Sequence, residues 1–156
     1  MEFNVRFFEH RDVAGVLALY QSVGFWFEEV EVNEEFIISS SQRPDFRFIV
    51  AEDGGNLLGF IGALYFSEVG RAELGPLGVD VDFHGTGVAK SLVERMLAFL
   101  GDNGIHRLTV KVKSGNKRAQ RFFLKHGFST EAYLRRYTLK GEDVVQMVHY
   151  LKKPKI

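Results

Sequence analysis

Cysteine is absent from the 156 residues of this chain, which excludes disulfides, thiolate nucleophiles and cysteine-based metal sites. Proline is scarce, with three residues, and no apolar run approaches the length that spans a membrane. The N-terminus lacks the charged and apolar regions of a secretory signal. The five histidines stand singly, without the spacing of metal ligands. We therefore expect a cytoplasmic protein with no metal site and no membrane association.

Net charge is also absent, because 20 Lys and Arg balance 20 Asp and Glu, and this balance disfavours a nucleic-acid-binding protein. The charges are nevertheless segregated. The stretch between Arg11 and Arg43 holds only acidic charges, whereas residues 106–130 hold only basic ones. Solvated surfaces would explain either block. Together they also fit two ligands of opposite charge on a single domain, which we expect to span residues 1–156.

A glycine-rich turn organises the middle of the chain. Strand-like sequence ends at about Val79, and the helical spacing of apolar residues begins at about Val88. Between them, Gly85 and Gly87 carry no Cβ, so backbone N–H groups can converge on an anion at the helix N-terminus. This arrangement predicts a phosphate-binding loop.

Two common phosphate motifs do not fit this loop. A P-loop needs glycines where His84 and Ala89 stand, and a dinucleotide fingerprint needs a third glycine where Lys90 stands. The segment 84–89, His-Gly-Thr-Gly-Val-Ala, instead resembles the pyrophosphate loop of the GNAT superfamily of acyl-CoA-dependent N-acetyltransferases. His84 replaces the Arg or Gln that is usual at the first position of that loop.

A second segment supports the resemblance. Asn116, Ala119, Phe123 and the pair Gly127-Phe128 follow the spacing of the GNAT pattern Asn-x-x-Ala-x-x-x-Tyr-x-x-x-Gly-Phe. The resemblance implies acetyl-CoA as cosubstrate, held by backbone groups of the strand before the loop, by the loop and by the second motif. The implied cofactor residues are Leu77, Gly78, Val79, His84, Gly85, Thr86, Gly87, Val88, Ala89, Lys90, Asn116, Ala119 and Phe123.

The predicted order of elements, βααβββαβαββ, resembles the GNAT fold over essentially the whole chain. It implies a mixed α/β sheet of about seven strands with four helices and two splayed central strands. Pro76 cannot donate to a strand ladder, so it marks either this splay or an ordinary edge strand. We predict strands at 3–8, 46–52, 57–66, around Glu73, at 107–113, 129–139 and 143–151, and helices from an Asp12 cap to Gly24, at 33–40, from 88 to 100 and after Asn116.

The resemblance also implies catalytic residues. Glu73 stands where some GNAT members place the general base that takes a proton from the acceptor amine, although an ion pair with Arg71 would equally explain it. Phe123 occupies the usual place of the tyrosine that protonates the CoA thiolate, and it has no proton to give. Tyr133 and Tyr137, predicted on the next strand, are the candidate replacements, or simply strand aromatics. Asn116 also fits a helix N-cap.

The implied activity is transfer of an acetyl group from acetyl-CoA to a primary amine. In the GNAT fold the segment joining the first two helices lines the acceptor side, and here it contains Trp26, Glu28 and Glu29. Aromatic and acidic side chains suit a cationic amine, such as a polyamine or a basic peptide. The alternatives are a non-catalytic acyl-CoA-binding or sensor module and an interaction domain that has lost the cofactor. A homodimer remains open as the assembly.

Overall fold

The computed structural model describes residues 2–23 and 31–152. Within these ranges the chain forms seven strands and four α-helices, in the predicted order. The strands are β1 Asn4–Phe7, β2 Phe46–Asp53, β3 Asn56–Phe66, β4 Arg71–Val79, β5 Arg107–Lys113, β6 Ser129–Leu134 and β7 Val144–Tyr150. The helices are α1 Val13–Val23, α2 Glu34–Ser41, α3 Val88–Asp102 and α4 Lys117–Lys125.

The strands form one open sheet in the order β1-β2-β3-β4-β5-β7-β6. Among the described strands, β4 and β5 are the one parallel pair, and their pairing runs only as far as Leu74 opposite Val110. Beyond this point β4 continues along β3, with a register irregularity between Ile61 and Ala63, while β5 continues along β7. The predicted mixed sheet with splayed central strands is confirmed.

Two apolar clusters cover the two faces of the sheet. Side chains alternate along a strand, so neighbouring residues of β2 belong to different clusters: Ile49 packs with α3, and Phe48 packs with α1 and α2. The predicted apolar face of α3 is confirmed, since Leu92 and Met96 are fully buried against the sheet. The core thus fixes the N-terminus of α3 beside the end of β4.

Asp12 does not cap α1 as predicted. Its carboxylate accepts hydrogen bonds from the Glu9 backbone N–H at 2.8 Å and from Arg6 at 2.8 and 2.9 Å. The residue is buried and forms part of a short 3₁₀ turn, residues 10–12, before the helix. The carboxylate therefore ties β1 to the chain that enters α1.

The last two strands are shorter than predicted, and β6 ends at Leu134 rather than at Leu139. The backbone turns at Arg136, whose φ is 49°, and the Arg136 N–H donates to Asp143 at 2.9 Å. The segment 135–143 is therefore a loop, which we call the β6–β7 loop. Tyr137 lies in this loop, so its predicted place on a strand is wrong.

Candidate active site

The splay between β4 and β5 opens a wedge whose walls carry backbone hydrogen-bonding groups. The Asp80 N–H donates to the Leu58 carbonyl of β3 at 2.8 Å. Because N–H and C=O groups alternate sides along a strand, Gly78 also faces β3, where it pairs with Phe60. Leu77 and Val79 then face the wedge, whereas Gly78 does not.

The glycine turn lies at the open end of this wedge. Gly85 and Gly87 have φ angles of 79° and 90°, in the left-handed region that favours glycine. A Cβ added at either residue would meet no atom within 4 Å. Gly87 is also the N-cap of α3. Because glycine has no side chain, this residue does not cap the first-turn N–H groups of the helix. The turn therefore presents a helix N-terminus to open space, as an anion site requires.

His84 folds back onto the strand that precedes the turn. Its Nε2 lies 3.0 Å from the Val79 carbonyl oxygen. This contact covers one of the backbone groups of β4 that face the wedge. It also places the imidazole ring in the wall of the cleft.

A cleft of about 830 Å³ connects the wedge, the glycine turn and α4. The described residues that line the cleft include Lys and Arg side chains but no Asp or Glu. Burial lowers the pKa of His126, and the nearby cations Lys125 and Lys90 lower it further. A polyanionic ligand is the natural complement to such a cleft. The cationic lining residues are Lys90, Lys111, Lys113, Arg118 and Lys125.

Helix α4 forms the far wall of the cleft. The Asn116 Oδ1 accepts the Ala119 N–H at 3.1 Å, so the predicted N-cap is confirmed. The Nδ2 end of the same amide is the part that can donate into the cleft. Phe123 is 1% exposed and packs against Phe122 and Phe128 while bordering the cleft. The middle of this wall is thus apolar, and its two ends carry polar or charged side chains.

Most of the predicted cofactor residues border this one cleft. Three of the predicted cofactor residues do not line the cleft, and a contact or burial explains each one. Gly78 pairs with β3, Thr86 donates its hydroxyl to the Phe83 carbonyl at 2.5 Å, and Val88 is fully buried in the core. The lining members are Leu77, Val79, His84, Gly85, Gly87, Ala89, Lys90, Asn116, Ala119 and Phe123.

Glu73 forms an ion pair with Lys111 rather than with Arg71, the partner that the sequence suggested. Lys111 Nζ donates to Glu73 Oε1 at 2.6 Å. The Lys111 side chain is only 12% exposed, and the Glu73 side chain is 45% exposed. The same Nζ lies 5.7 Å from the ring centroid of Tyr137. The structure therefore brings Glu73, Lys111 and Tyr137 together where β4 and β5 part.

Tyr133 lies elsewhere. It is on β6, which β7 separates from β5, and its hydroxyl donates to Asp143 at 3.0 Å. The predicted acceptor residues Trp26, Glu28 and Glu29 lie outside the described residues.

Sequence reasoning overlooked Lys111 as a site residue. The sequence does contain a signal for Lys111, because β5 alternates apolar residues with polar ones. Thr109 and Lys111 therefore share the face opposite the buried Val110. Thr109 also pairs with Glu73 across the parallel ladder. Parallel register could therefore have placed the lysine and the glutamate on one face, but only after β4 and β5 were known to be neighbours.

These features describe an α/β domain that can hold a polyanionic cofactor between two parted strands. The model of the Acetyltransferase (GNAT) family matches residues 13–128, so the chain belongs to that family. An uncharacterized N-acetyltransferase of Mycobacterium tuberculosis is 34% identical over 85 residues, which make up 54% of this chain and 54% of the relative. The chain thus matches about half the length of that curated relative.

Solved structures share the fold. Ard1 from Thermoplasma volcanium superposes with a TM-score of 0.85 at 21% identity, covering 98% of this chain and 100% of the other. The Salmonella typhimurium protein yncA, solved with its cofactor acetyl-CoA, gives a TM-score of 0.85 at 18% identity, covering 100% and 98%.

Every helix within residues 2–23 and 31–152 is too short or too polar to span a membrane. The His, Asp and Glu side chains of the same residues form no group of three or more that could hold a metal ion.

Proposed function

We propose that this chain is an N-acetyltransferase that moves an acetyl group from acetyl-CoA to a primary amine. The observation that carries the proposal is the cationic cleft, which joins a helix N-terminus to the part of the β4 edge that does not pair with β5. A cofactor with phosphates at one end and an amide-bearing arm at the other matches both parts. Family membership supports the same activity.

In this proposal the diphosphate of acetyl-CoA lies at the glycine turn. The first-turn N–H groups of α3 would donate to its oxygens, and the macrodipole favours the negative charge. Lys90, Arg118 and Lys125 line the same cleft and would neutralise the remaining phosphate charge. The pantetheine arm would then run along the β4 edge between Val79 and Leu77.

The thioester would lie near the apex of the wedge, where Leu74 and Val110 form the last β4–β5 pair. The acceptor amine attacks the thioester carbonyl carbon directly in a ternary complex. Glu73 takes a proton from the amine, and the N–H of Leu77, which faces the wedge on the apex side of Val79, stabilises the developing oxyanion. The C–S bond breaks, and CoA leaves as a thiolate.

The acid that protonates this thiolate is not Phe123. Tyr137 is the tyrosine that the structure brings to the Glu73–Lys111 pair, and we assign the role to it ahead of Tyr133. A thiol has an ordinary pKa of about 8.5, so a thiolate is also a tolerable leaving group without an acid.

We further propose a cationic acceptor, such as a polyamine or a basic peptide. The support is the charge segregation of the sequence, in which acidic side chains occupy the segment between the first two helices. Trp26, Glu28 and Glu29 would be its contacts. Added salt should then lower kcat/KM for cationic acceptors, and Glu28→Gln with Glu29→Gln should raise their KM without changing the KM for acetyl-CoA.

The second candidate is a non-catalytic acyl-CoA-binding or sensor module. The observation in its favour is Phe123, an apolar ring at 1% exposure where the resemblance expects a proton donor. Thiol release from acetyl-CoA, measured over a panel of cationic, neutral and anionic amines, separates the two. Release with a cationic amine supports the enzyme, and tight binding of acetyl-CoA without release to any amine supports the module.

A further inference from the structure

The ammonium group of Lys111 is surrounded by the kinds of group that would bind the ammonium group of an acceptor amine. Its Nζ donates to Glu73 Oε1 at 2.6 Å, and the face of the Tyr137 ring lies 5.7 Å away. A carboxylate and an aromatic face are the groups that recognise an alkylammonium ion. The side chain is only 12% exposed and lines the cationic cleft. A primary amine is therefore already held beside the proposed general base.

The backbone places this amine near the apex of the wedge. Val110 is the last β5 residue paired with β4, and Lys111 follows it directly. The side chain of Lys111 then reaches across to Glu73 on β4, next to Leu74. The ion pair thus spans the two strands where they part, which is where the thioester is proposed to lie.

We propose that Lys111 is an acetylation site of this protein, modified by the acetyl-CoA bound in its own cleft. This inference rests on the proposed function. The Lys111 ammonium gives a proton to Glu73, and the neutral amine attacks the thioester carbonyl carbon. A C–N bond forms and the C–S bond breaks. The nitrogen gives up its second proton, and the CoA thiolate takes up one proton through Tyr137, so the products are the amide, CoA thiol and protonated Glu73. The product is an uncharged Nε-acetyl-lysine, which no longer forms an ion pair with Glu73.

Lys113 is the matched internal control. It lies two residues further along β5 and also lines the cleft. It also pairs with a carboxylate, since its Nζ lies 3.2 Å from Glu142 Oε1. It differs by lying further from the apex and by pairing with a loop residue rather than with Glu73. General chemical acetylation by acetyl-CoA should modify both lysines, whereas transfer within the cleft should favour Lys111.

The test is incubation of the purified chain with deuterated acetyl-CoA and no acceptor amine, followed by peptide mapping by mass spectrometry. The isotope separates new acetyl groups from any acquired during expression. We expect Lys111 to be labelled at least about tenfold faster than Lys113, because its reacting groups are already positioned. The rate constant should not change when the protein is diluted, and excess CoA without an acyl group should suppress the labelling. Glu73→Gln should slow it about a hundredfold.

Equal labelling of Lys111 and Lys113, a rate that scales with protein concentration, or labelling that excess CoA leaves unchanged would each overturn the inference. Unlabelled Lys111 in a preparation that acetylates an amine would overturn the inference and leave the proposed function standing. If calorimetry detects no binding of acetyl-CoA, both fall.

Discussion

His84 contacts Val79 across the entrance of the wedge, with its Nε2 3.0 Å from the Val79 carbonyl oxygen. The first residue of the glycine loop is thereby fastened to the last residue of β4. This contact sets the distance between the turn, where phosphates are proposed to bind, and the strand edge, where the pantetheine arm is proposed to lie. A side chain at position 84 therefore acts on the cofactor site through the backbone as well as by its own charge.

Substitution of His84 separates these two effects. His84→Arg keeps a donor for the Val79 carbonyl and adds a permanent charge, so we expect it to bind acetyl-CoA at least as tightly as the wild-type chain. His84→Phe keeps a ring but loses the hydrogen bond, and we expect about tenfold weaker binding. Calorimetric titration measures both dissociation constants. Unchanged affinity in His84→Phe would show that the contact does not organise the site.

Glu73→Gln tests the proposed general base. The amide keeps the shape of the carboxylate and can still accept from Lys111, but it cannot take a proton from the acceptor. We expect kcat to fall by about a hundredfold, with little change in the KM for acetyl-CoA. Glu131→Gln is the control, because Glu131 also pairs with a cation of β5, Arg107, at the far end of the strand. Near-normal kcat in Glu73→Gln would leave Glu73 a purely structural role.

Tyr137→Phe tests the proposed acid. The hydroxyl is removed while the ring beside Lys111 is kept, so we expect kcat to fall and the affinity for acetyl-CoA to hold. Tyr133→Phe is the matched control, since Tyr133 lies on the edge strand β6 and its hydroxyl donates to Asp143 of the β6–β7 loop. Phe123→Tyr should be tolerated and should raise turnover if its hydroxyl reaches the cleft. If all three variants turn over like the wild-type chain, the thiolate leaves without help from a tyrosine.

The buried pair of Arg6 and Asp12 predicts how stability depends on pH. Burial alone would raise the pKa of Asp12, but hydrogen bonds from Arg6 and from the Glu9 N–H outweigh it and lower that pKa. A carboxyl whose folded pKa lies below its unfolded value of about 3.9 stabilises the fold above that value. The contribution is lost as the pH falls through the lower folded value.

Asp12→Asn should therefore lower the free energy of unfolding by about 3 kcal/mol at pH 7, because it leaves Arg6 without its charged partner. The difference from the wild-type chain should shrink as the pH falls below the unfolded value of about 3.9 and through the lower folded value. Denaturant titrations at several pH values measure it. Asp45→Asn is the control, since its partner Arg43 is 54% exposed and exposed pairs contribute little. A penalty that does not change with pH would contradict the assigned role of the ion pair.

Local sequence signals predicted most of the fold. Apolar periodicity placed α3 and β5, and the residues Asn33 and Asn116 marked two helix starts that the structure confirms through their side-chain caps. The end of β6 was not predicted, because the Arg136 N–H at the turn donates to the carboxylate of Asp143, seven residues later. A pattern read along one strand carries no information about such a partner.

The candidate site was predictable to the same extent. The glycine turn and α4 are continuous segments whose chemistry is legible in the sequence, and their residues meet in one cleft. The pair of Glu73 with Lys111 joins residues 38 positions apart. Its existence depends on β4 and β5 being parallel neighbours, whereas the sequence alone suggests Arg71, which is only two residues from Glu73, as the partner.

Calorimetric titration of acetyl-CoA into the wild-type chain, Gly87→Gln and Gly87→Glu tests the central claim that the glycine turn holds the cofactor phosphates. Both variants place a side chain in open space at a φ of 90°, so they share the same backbone strain and nearly the same bulk. They differ by one negative charge in front of the α3 N-terminus. We predict measurable binding by the wild-type chain and at least about tenfold weaker binding by Gly87→Glu than by Gly87→Gln. Equal dissociation constants for the two variants would contradict a phosphate site at this turn.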